Sequence, residues 1–167
     1  LLLKGLIVIE KNSWAVWKGG IKDGGGVIST ETGVLKEAPY GFNSRFEGGK
    51  GTNPEELIGA AHAGCFSMAL AMMLGEAGLS VERIETHATV ALDKVGGAFA
   101  IVSSHLTVVA VVPGANAAQF AQIADQAKTG CPVSKLLNAI ITMDARLDSQ
   151  DDSAAVRRSA PRAALGL

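Results

Sequence analysis

The residues with the chemistry of a reactive site are Cys65 and Cys131, which are the chain's two cysteines, with His62, Arg45 and Glu55. A thiolate can attack an oxidant and become a sulfenic acid, and a second thiol can condense with that acid to a disulfide. Three readings of the two cysteines compete on residue type alone. Reduced cysteines are among the most buried side chains, so two inert thiols are one reading. A structural disulfide is disfavoured in a reducing compartment. The third is a redox pair, and local physics does not say which thiol attacks. Cys131 precedes a segment led by Pro132, where a positive helix N-terminus would stabilise thiolate. Cys65 falls in the middle of an apolar helix, where burial alone raises a thiol's pKa. It needs a cation, and Arg45, on the loop ahead of the helix, is the nearest candidate in sequence that can face the same helix. Glu55 lies ten positions before Cys65, about 15 Å along a straight helix. It can reach Cys65 only through a bridging arginine, across a kink near Gly59, or on the site of a second subunit. His62, three residues before Cys65, shares part of its face. A buried, hydrogen-bonded histidine is preferred there over a base or metal ligand, because no HExxH or paired-cysteine spacing accompanies it.

The element that must carry these groups is the helix beginning at Pro54. Thr52 or Asn53 can cap it, Pro54 suits its first turn, and Glu55 and Glu56 complement its dipole. Asn53 and Glu56 have the spacing of a capping box. From Leu57 to Leu74 only His62, Cys65 and Ser67 are polar, a pattern that predicts burial on every face. The helix is expected to stop at Gly78. Its length just suffices to span a membrane, but Gly59, His62, Gly64 and Ser67 and the lack of a flanking basic cluster argue against a span.

Around it, residues 6–9, 13–17 and 27–30 are expected as short strands. Residues 37–52 read as a loop anchored by Tyr40, Phe42 and Phe46, with Arg45 among them; aromatic loops ahead of a buried helix often line a site. Residues 84–95 and 99–112 alternate and join at Gly96-Gly97, a hairpin signal. Residues 116–129 are expected as a helix, 131–137 as a second helical piece led by Pro132, and 139–147 as a last strand. Adjacent strands in hairpin-like groups, without alternating βαβ units, indicate an α+β class. One domain over residues 1–150 with a flexible tail over 151–167 follows. The glycine triplet at 24–26 fits no phosphate-loop pattern.

Bulk properties exclude several classes. The chain has 167 residues, 48% of them hydrophobic and 19% charged, which describes a globular protein. A net charge of −1 gives no footprint for nucleic acid or an anionic membrane. The N-terminus lacks a basic region and cleavage site, so it does not read as a signal peptide, and a cytoplasmic setting is the default expectation.

The stretches Trp14–Trp17, Ser29–Leu35, Pro39–Glu47, Gly51–Met68 and Thr129–Ser134 together resemble the OsmC/Ohr family of bacterial hydroperoxide reductases, and look most like its OsmC branch. The resemblance implies a thiol peroxidase that prefers organic hydroperoxides to hydrogen peroxide. Cys65 matches the peroxidatic cysteine and Cys131 the resolving one. Arg45, in Asn43-Ser44-Arg45, matches the arginine that pairs with the thiolate, and Glu55 the glutamate that holds that arginine. An apolar wall from Phe42, Phe46 or Met68 would suit an organic tail. The implied fold is an α+β, OsmC-like intertwined homodimer, with antiparallel sheets around two long central helices and sites at the subunit interface. No metal or other cofactor is implied, and reducing equivalents come from a dithiol donor, for which dihydrolipoyl proteins serve the Ohr branch. The rival readings are a non-catalytic ligand-binding member of the fold, against which both cysteines, Arg45 and Glu55 speak, and a nucleoid-associated protein, against which the charge speaks.

Overall fold

The computed structural model describes residues 8–148; the expected tail over 151–167 lies outside the described residues. The chain divides into two compact units, Leu1–Leu57 and Ile58–Leu167.

In the first unit, β1 (Ser13–Lys18), β2 (Gly25–Thr30) and β3 (Ala38–Tyr40) form an antiparallel sheet in that order. A short helix, α1 (Phe42–Phe46), follows. The sequence reading differs here in three ways. Residues 8–9 are not a strand, and β3 and α1 both lie inside the stretch expected to be loop. The strand has only three residues, and it keeps Pro39 because the proline sits on the sheet's edge, where no ladder donor is needed. The helix α2 (Pro54–Glu76) then begins. Asn53 caps it, its side-chain oxygen accepting from the Glu56 N–H at 2.8 Å. The Glu56 carboxylate accepts from the Thr52 hydroxyl at 3.1 Å.

The second unit holds the rest of α2, which ends in a left-handed Gly78 (φ 75°) with the Leu79 N–H reaching back to the Leu74 carbonyl at 2.9 Å. β4 (Arg83–Val95) and β5 (Ala98–Val111) form the expected hairpin. Gly96 and Gly97 both take positive φ, as a type I′ turn demands. α3 (Ala117–Gly130), capped by the Asn116 side chain, and α4 (Pro132–Leu136) lead to β6 (Ile140–Leu147). β6 runs parallel to β5, so the sheets are antiparallel except at this pair. The two helices supply the long crossover that a parallel connection needs. Asp148 is buried, its N–H bonded to the Ala110 carbonyl and its carboxylate to Arg83 at 2.7 Å.

The core gathers Phe66, Leu70 and Leu74 of α2, Leu106, Val108 and Ala110 of β5, and Phe120, Ile123, Ala124 and Ala127 of α3, with Cys131. On α2 the buried residues His62, Phe66, Leu70 and Leu74 recur every fourth position, one face of a helix. The expectation of burial on every face is not met. Ala60, Ala61, Gly64, Met68, Ala71 and Met72 are exposed, Met68 to 76%. An apolar residue reads the same in a sequence whether its own chain covers it or not.

Candidate active site

Each unit brings together one half of the expected site. In the second unit the Cys65 and Cys131 sulfurs lie 3.1 Å apart as free thiols. α2 presents Cys65 one residue before the core residue Phe66, and it is half-buried; Cys131, in the joint between α3 and α4, is fully buried. The joint exists because Pro132 restarts the helix, while the Cys131 N–H still bonds to the Ala127 carbonyl at 2.9 Å. This sets the sulfur beside the first backbone N–H groups of α4.

The two thiols differ in acidity. Burial, then the Cys131 neighbour, hold the Cys65 thiol above its ordinary range, against a weaker pull from the Val133 N–H. Burial also opposes ionisation of Cys131, but hydrogen bonds from the Ser134 N–H, the Cys65 thiol, the Ser134 hydroxyl and the Val133 N–H outweigh it and bring Cys131 below its ordinary range. Across the 3.1 Å contact the Cys131 thiol donates to the Cys65 sulfur; once Cys131 ionises, the Cys65 thiol can donate in return. Within this unit, then, the accessible sulfur and the acidic sulfur are different residues.

In the first unit Arg45 and Glu55 form a two-point ion pair, Nε to Oε2 at 3.1 Å and a terminal guanidinium nitrogen to Oε1 at 2.6 Å. Sequence neighbours set this geometry. The Ser44 hydroxyl donates to the Thr52 carbonyl at 2.8 Å, and the Asn53 side chain donates to the Ser44 carbonyl at 3.3 Å. These bonds tie α1 to the start of α2, so that Arg45 meets the Glu55 carboxylate. The planar guanidinium suits such a fork and leaves further donors over.

Beside the pair lies an apolar cavity of about 310 Å³, lined by Trp17, Ile21, Tyr40, Phe42 and Phe46 together with Arg45. The rings pack in pairs, Trp17 with Tyr40 at 5.4 Å and Phe42 with Phe46 at 4.9 Å between centroids. Arg45 stands 5.3 Å from the Phe46 ring centre. Phe42 and Phe46 were expected as an apolar wall. Trp17 and Ile21 were not, because they come from β1 and the turn after it, and only the β1–β2–β3 pairing carries them to this wall. Met68 is not part of the lining. A larger cavity, about 570 Å³, lies in the second unit over β5, β6 and α3. It holds neither thiol, and its Lys128 is paired with Asp125 at 2.6 Å.

His62 is fully buried between two serines, Nδ1 2.8 Å from the Ser104 hydroxyl and Nε2 2.8 Å from the Ser134 hydroxyl. Burial holds its pKa below 6.5. This is the hydrogen-bonded histidine that the sequence favours, although its partners are side chains of β5 and α4 and not backbone.

Solved structures place this architecture among OsmC-like folds. An OsmC-like protein of unknown function from Vibrio cholerae superposes with a TM-score of 0.67 at 14% identity, over 83% of this chain and 100% of that one. The organic hydroperoxide resistance protein OhrB of Bacillus subtilis superposes with a TM-score of 0.60 at 26% identity, over 82% and 98%. In sequence, the family model described as OsmC-like protein matches residues 47–146. The chain is 57% identical to the peroxiredoxin OsmC of Escherichia coli K12 over 143 residues, 86% of this chain and 100% of that protein. It is 31% identical to OhrB of Bacillus subtilis over 111 residues, 66% of this chain and 79% of that protein. The chain belongs to the OsmC family.

Proposed function

We propose that this protein is a thiol-dependent peroxidase that reduces organic hydroperoxides, and hydrogen peroxide less favourably, in defence against oxidative and osmotic stress. The observation that carries this reading is the pair of thiols, 3.1 Å apart, of which one is half-open and the other sealed. A peroxide can reach Cys65. Cys131 is within easy closing distance of the disulfide length of about 2.05 Å, yet shielded from the oxidant. Cys65 is therefore assigned the attack and Cys131 the resolution, in agreement with the family resemblance.

Acidity within the second unit runs against this assignment, so the cation that favours Cys65 thiolate has to come from elsewhere. Arg45 is our candidate, held by Glu55. It stays charged at any relevant pH and can bond the peroxide oxygens with its remaining donors. The aromatic cavity beside Arg45 would take the organic tail, since a pocket of this size and lining rewards apolar groups. Cys65 thiolate attacks the O–O bond, the alcohol leaves, and the resulting sulfenic acid condenses with Cys131. A dithiol, of which a dihydrolipoyl protein is one candidate, returns the pair to thiols.

The exposed apolar stripe on α2 supports a homodimer in which two such helices pack together and the sites form at the interface. The reading as one domain over residues 1–150 in a cytoplasmic protein goes with it. The test is to mix anaerobically reduced protein with cumene hydroperoxide and follow it by thiol counting and peptide mapping. The expected outcome is loss of both thiols and a Cys65–Cys131 disulfide, with Cys65→Ser inactive and Cys131→Ser over-oxidised at Cys65 after one attack. Unchanged thiols would remove the peroxidase reading, and the reverse pattern in the variants would exchange the two roles.

A further inference from the structure

Two rungs join α2 to α4. On α2, His62 and Cys65 are three residues apart and share a face. At the start of α4, Cys131 and Ser134 are also three apart, and the bond from the Lys135 N–H to the Cys131 carbonyl at 3.1 Å closes the turn between them. Cys65 meets Cys131 at 3.1 Å, and His62 Nε2 meets the Ser134 hydroxyl at 2.8 Å. Among the described residues these two are the side-chain hydrogen bonds that tie residues 131–136 to α2.

The His62 rung is the firmly held one. The imidazole is fully buried, and its Nδ1 lies 2.8 Å from the hydroxyl of Ser104 on β5, which is fully buried as well. A serine hydroxyl can donate or accept, so both bonds form whichever ring nitrogen carries the proton. A ring held at both edges does not swing. The short helix α4 has little grip of its own: none of its five residues is buried, and Leu136 is exposed to 79%. A segment so lightly packed opens locally at low cost, and each opening carries the Cys131 sulfur away from Cys65.

We propose that His62 is a positioning residue for disulfide formation: anchored on Ser104, it clamps Ser134 and so fixes the register of α4 on α2, which sets the effective concentration of the Cys131 sulfur at oxidised Cys65. The inference rests on the reading of Cys131 as the resolving cysteine. It concerns the place of that sulfur and not its acidity. From 3.1 Å the sulfurs have about 1 Å left to close to a disulfide, a movement that side-chain rotation supplies while the clamp holds. In that step the Cys131 thiolate forms the S–S bond to the Cys65 sulfur, and the S–O bond of the sulfenic acid breaks. The departing hydroxide takes up a proton, equivalent to the one Cys131 lost on ionising, and leaves as water. Cys131 is oxidised and the sulfenic sulfur reduced. Holding the reactants together beforehand is what makes such a step fast and its product stable.

The two carboxamides separate the two bonds of the imidazole. Glutamine sets its amide near the place of Nε2, and asparagine sets its own near Nδ1. His62→Gln therefore keeps Ser134 and gives up Ser104, and His62→Asn does the reverse. Each variant loses one buried hydrogen bond, so a merely structural role predicts equal effects. In the full-length protein, the midpoint potential of the Cys65–Cys131 pair is measured against glutathione, and single turnover with cumene hydroperoxide separates sulfenic acid formation from disulfide formation. His62→Asn should lower the effective concentration about tenfold, which raises the potential of a two-electron couple by about 30 mV. It should slow disulfide formation by about the same factor, leave sulfenic acid formation at the parent rate, and let more Cys65 over-oxidise in excess peroxide. His62→Gln should match the parent in potential and in both steps. Ser134→Ala removes the same rung from a half-buried position and is the variant to use if His62→Asn does not fold; Ser134→Thr, which keeps the hydroxyl, should restore the parent values. Titrating the Cys131 thiolate by ultraviolet absorbance in a Cys65→Ser background corrects the Ser134 variants for any change in acidity. Equal shifts in His62→Asn and His62→Gln overturn the proposal, as does a parent potential in folded His62→Asn or, after that correction, in Ser134→Ala. If the unsubstituted protein forms no Cys65–Cys131 disulfide, the two-cysteine reading fails instead; a disulfide that forms at one potential in every variant fails the clamp alone.

Discussion

At the level of single residues the site is a division of labour between two sulfurs that lie 3.1 Å apart. Cys131 has the acidity and Cys65 has the access. A cation aimed at Cys65 reverses the first inequality without touching the second, because an opposite charge within a few ångströms lowers a thiol pKa by about one to three units. Removing it has a calculable sign. On the proposal that Arg45 is that cation, Arg45→Ala should raise the Cys65 pKa, lower the thiolate fraction near neutral pH about tenfold per unit, and slow the attack on cumene hydroperoxide accordingly. The loss should shrink as pH is raised, since hydroxide then does what the guanidinium did. Glu55→Gln should give a milder loss, because the guanidinium keeps its charge and loses only its anchor. The measurement is the pH dependence of the second-order rate constant; an unshifted profile in Arg45→Ala takes the arginine out of the mechanism. The residue types of this site were legible from the chain alone. Its acidity was only half so. Pro132 announced a helix start beside Cys131, but the serine hydroxyl bonded to a buried histidine depends on the approach of β5 and α4 to α2, which no local pattern encodes.

At the level of elements, α2 is the part whose two faces do different things. Its inward face is pinned by His62, which reaches Ser104 on β5 and Ser134 on α4. That pin responds to pH. Burial lowers the histidine's folded-state pKa below 6.5, so the unfolded chain binds a proton that the folded chain refuses. Stability contributed in this way is fully present above the unfolded value and is lost as pH falls from 6.5 toward the folded pKa, with a slope of up to about 1.4 kcal/mol per pH unit. Urea melts on either side of that window should show the loss in the parent protein, and His62→Gln should lower stability overall while flattening this slope. An equal slope in both would mean the histidine protonates in place. The long helices and the β4–β5 hairpin declared themselves through periodicity, caps and the Gly96-Gly97 turn. β3 and α1 did not, because three and five residues are too few for a period to show. The parallel placement of β6 beside β5 was equally silent, since a strand's sequence does not name its neighbour.

At the level of the whole molecule, the outward face of α2 is the unfinished part. Gly64 has no atom within 4 Å of where a Cβ would stand, and Met68 and Met72 are exposed to 76% and 56%. Small residues beside flexible apolar ones suit a close helix–helix approach. The helix is also long and apolar enough to cross a membrane by length and composition, but a spanning helix would not bury a histidine between two serines and pack Phe66, Leu70 and Leu74 into a sheet-backed core. The homodimer proposed above would cover this face with a twin helix and leave the inward face intact. The substitution that separates these cases is Met68→Glu. In an isolated chain an exposed methionine can become glutamate at little cost, within about 0.5 kcal/mol. In a symmetric dimer the change occurs twice and sets two carboxylates against an apolar seam, where each unpaired charge costs several kcal/mol. Sedimentation should therefore find the parent protein as a dimer and the variant as a monomer, and the parent's Tm should rise with protein concentration while the variant's does not. If Arg45 acts across the interface, the variant should also lose peroxide turnover at dilutions where its fold is intact, and recover part of it when concentrated. A variant that stays dimeric with full activity would move the interface off α2, and with it the place where the two halves of the site are thought to meet.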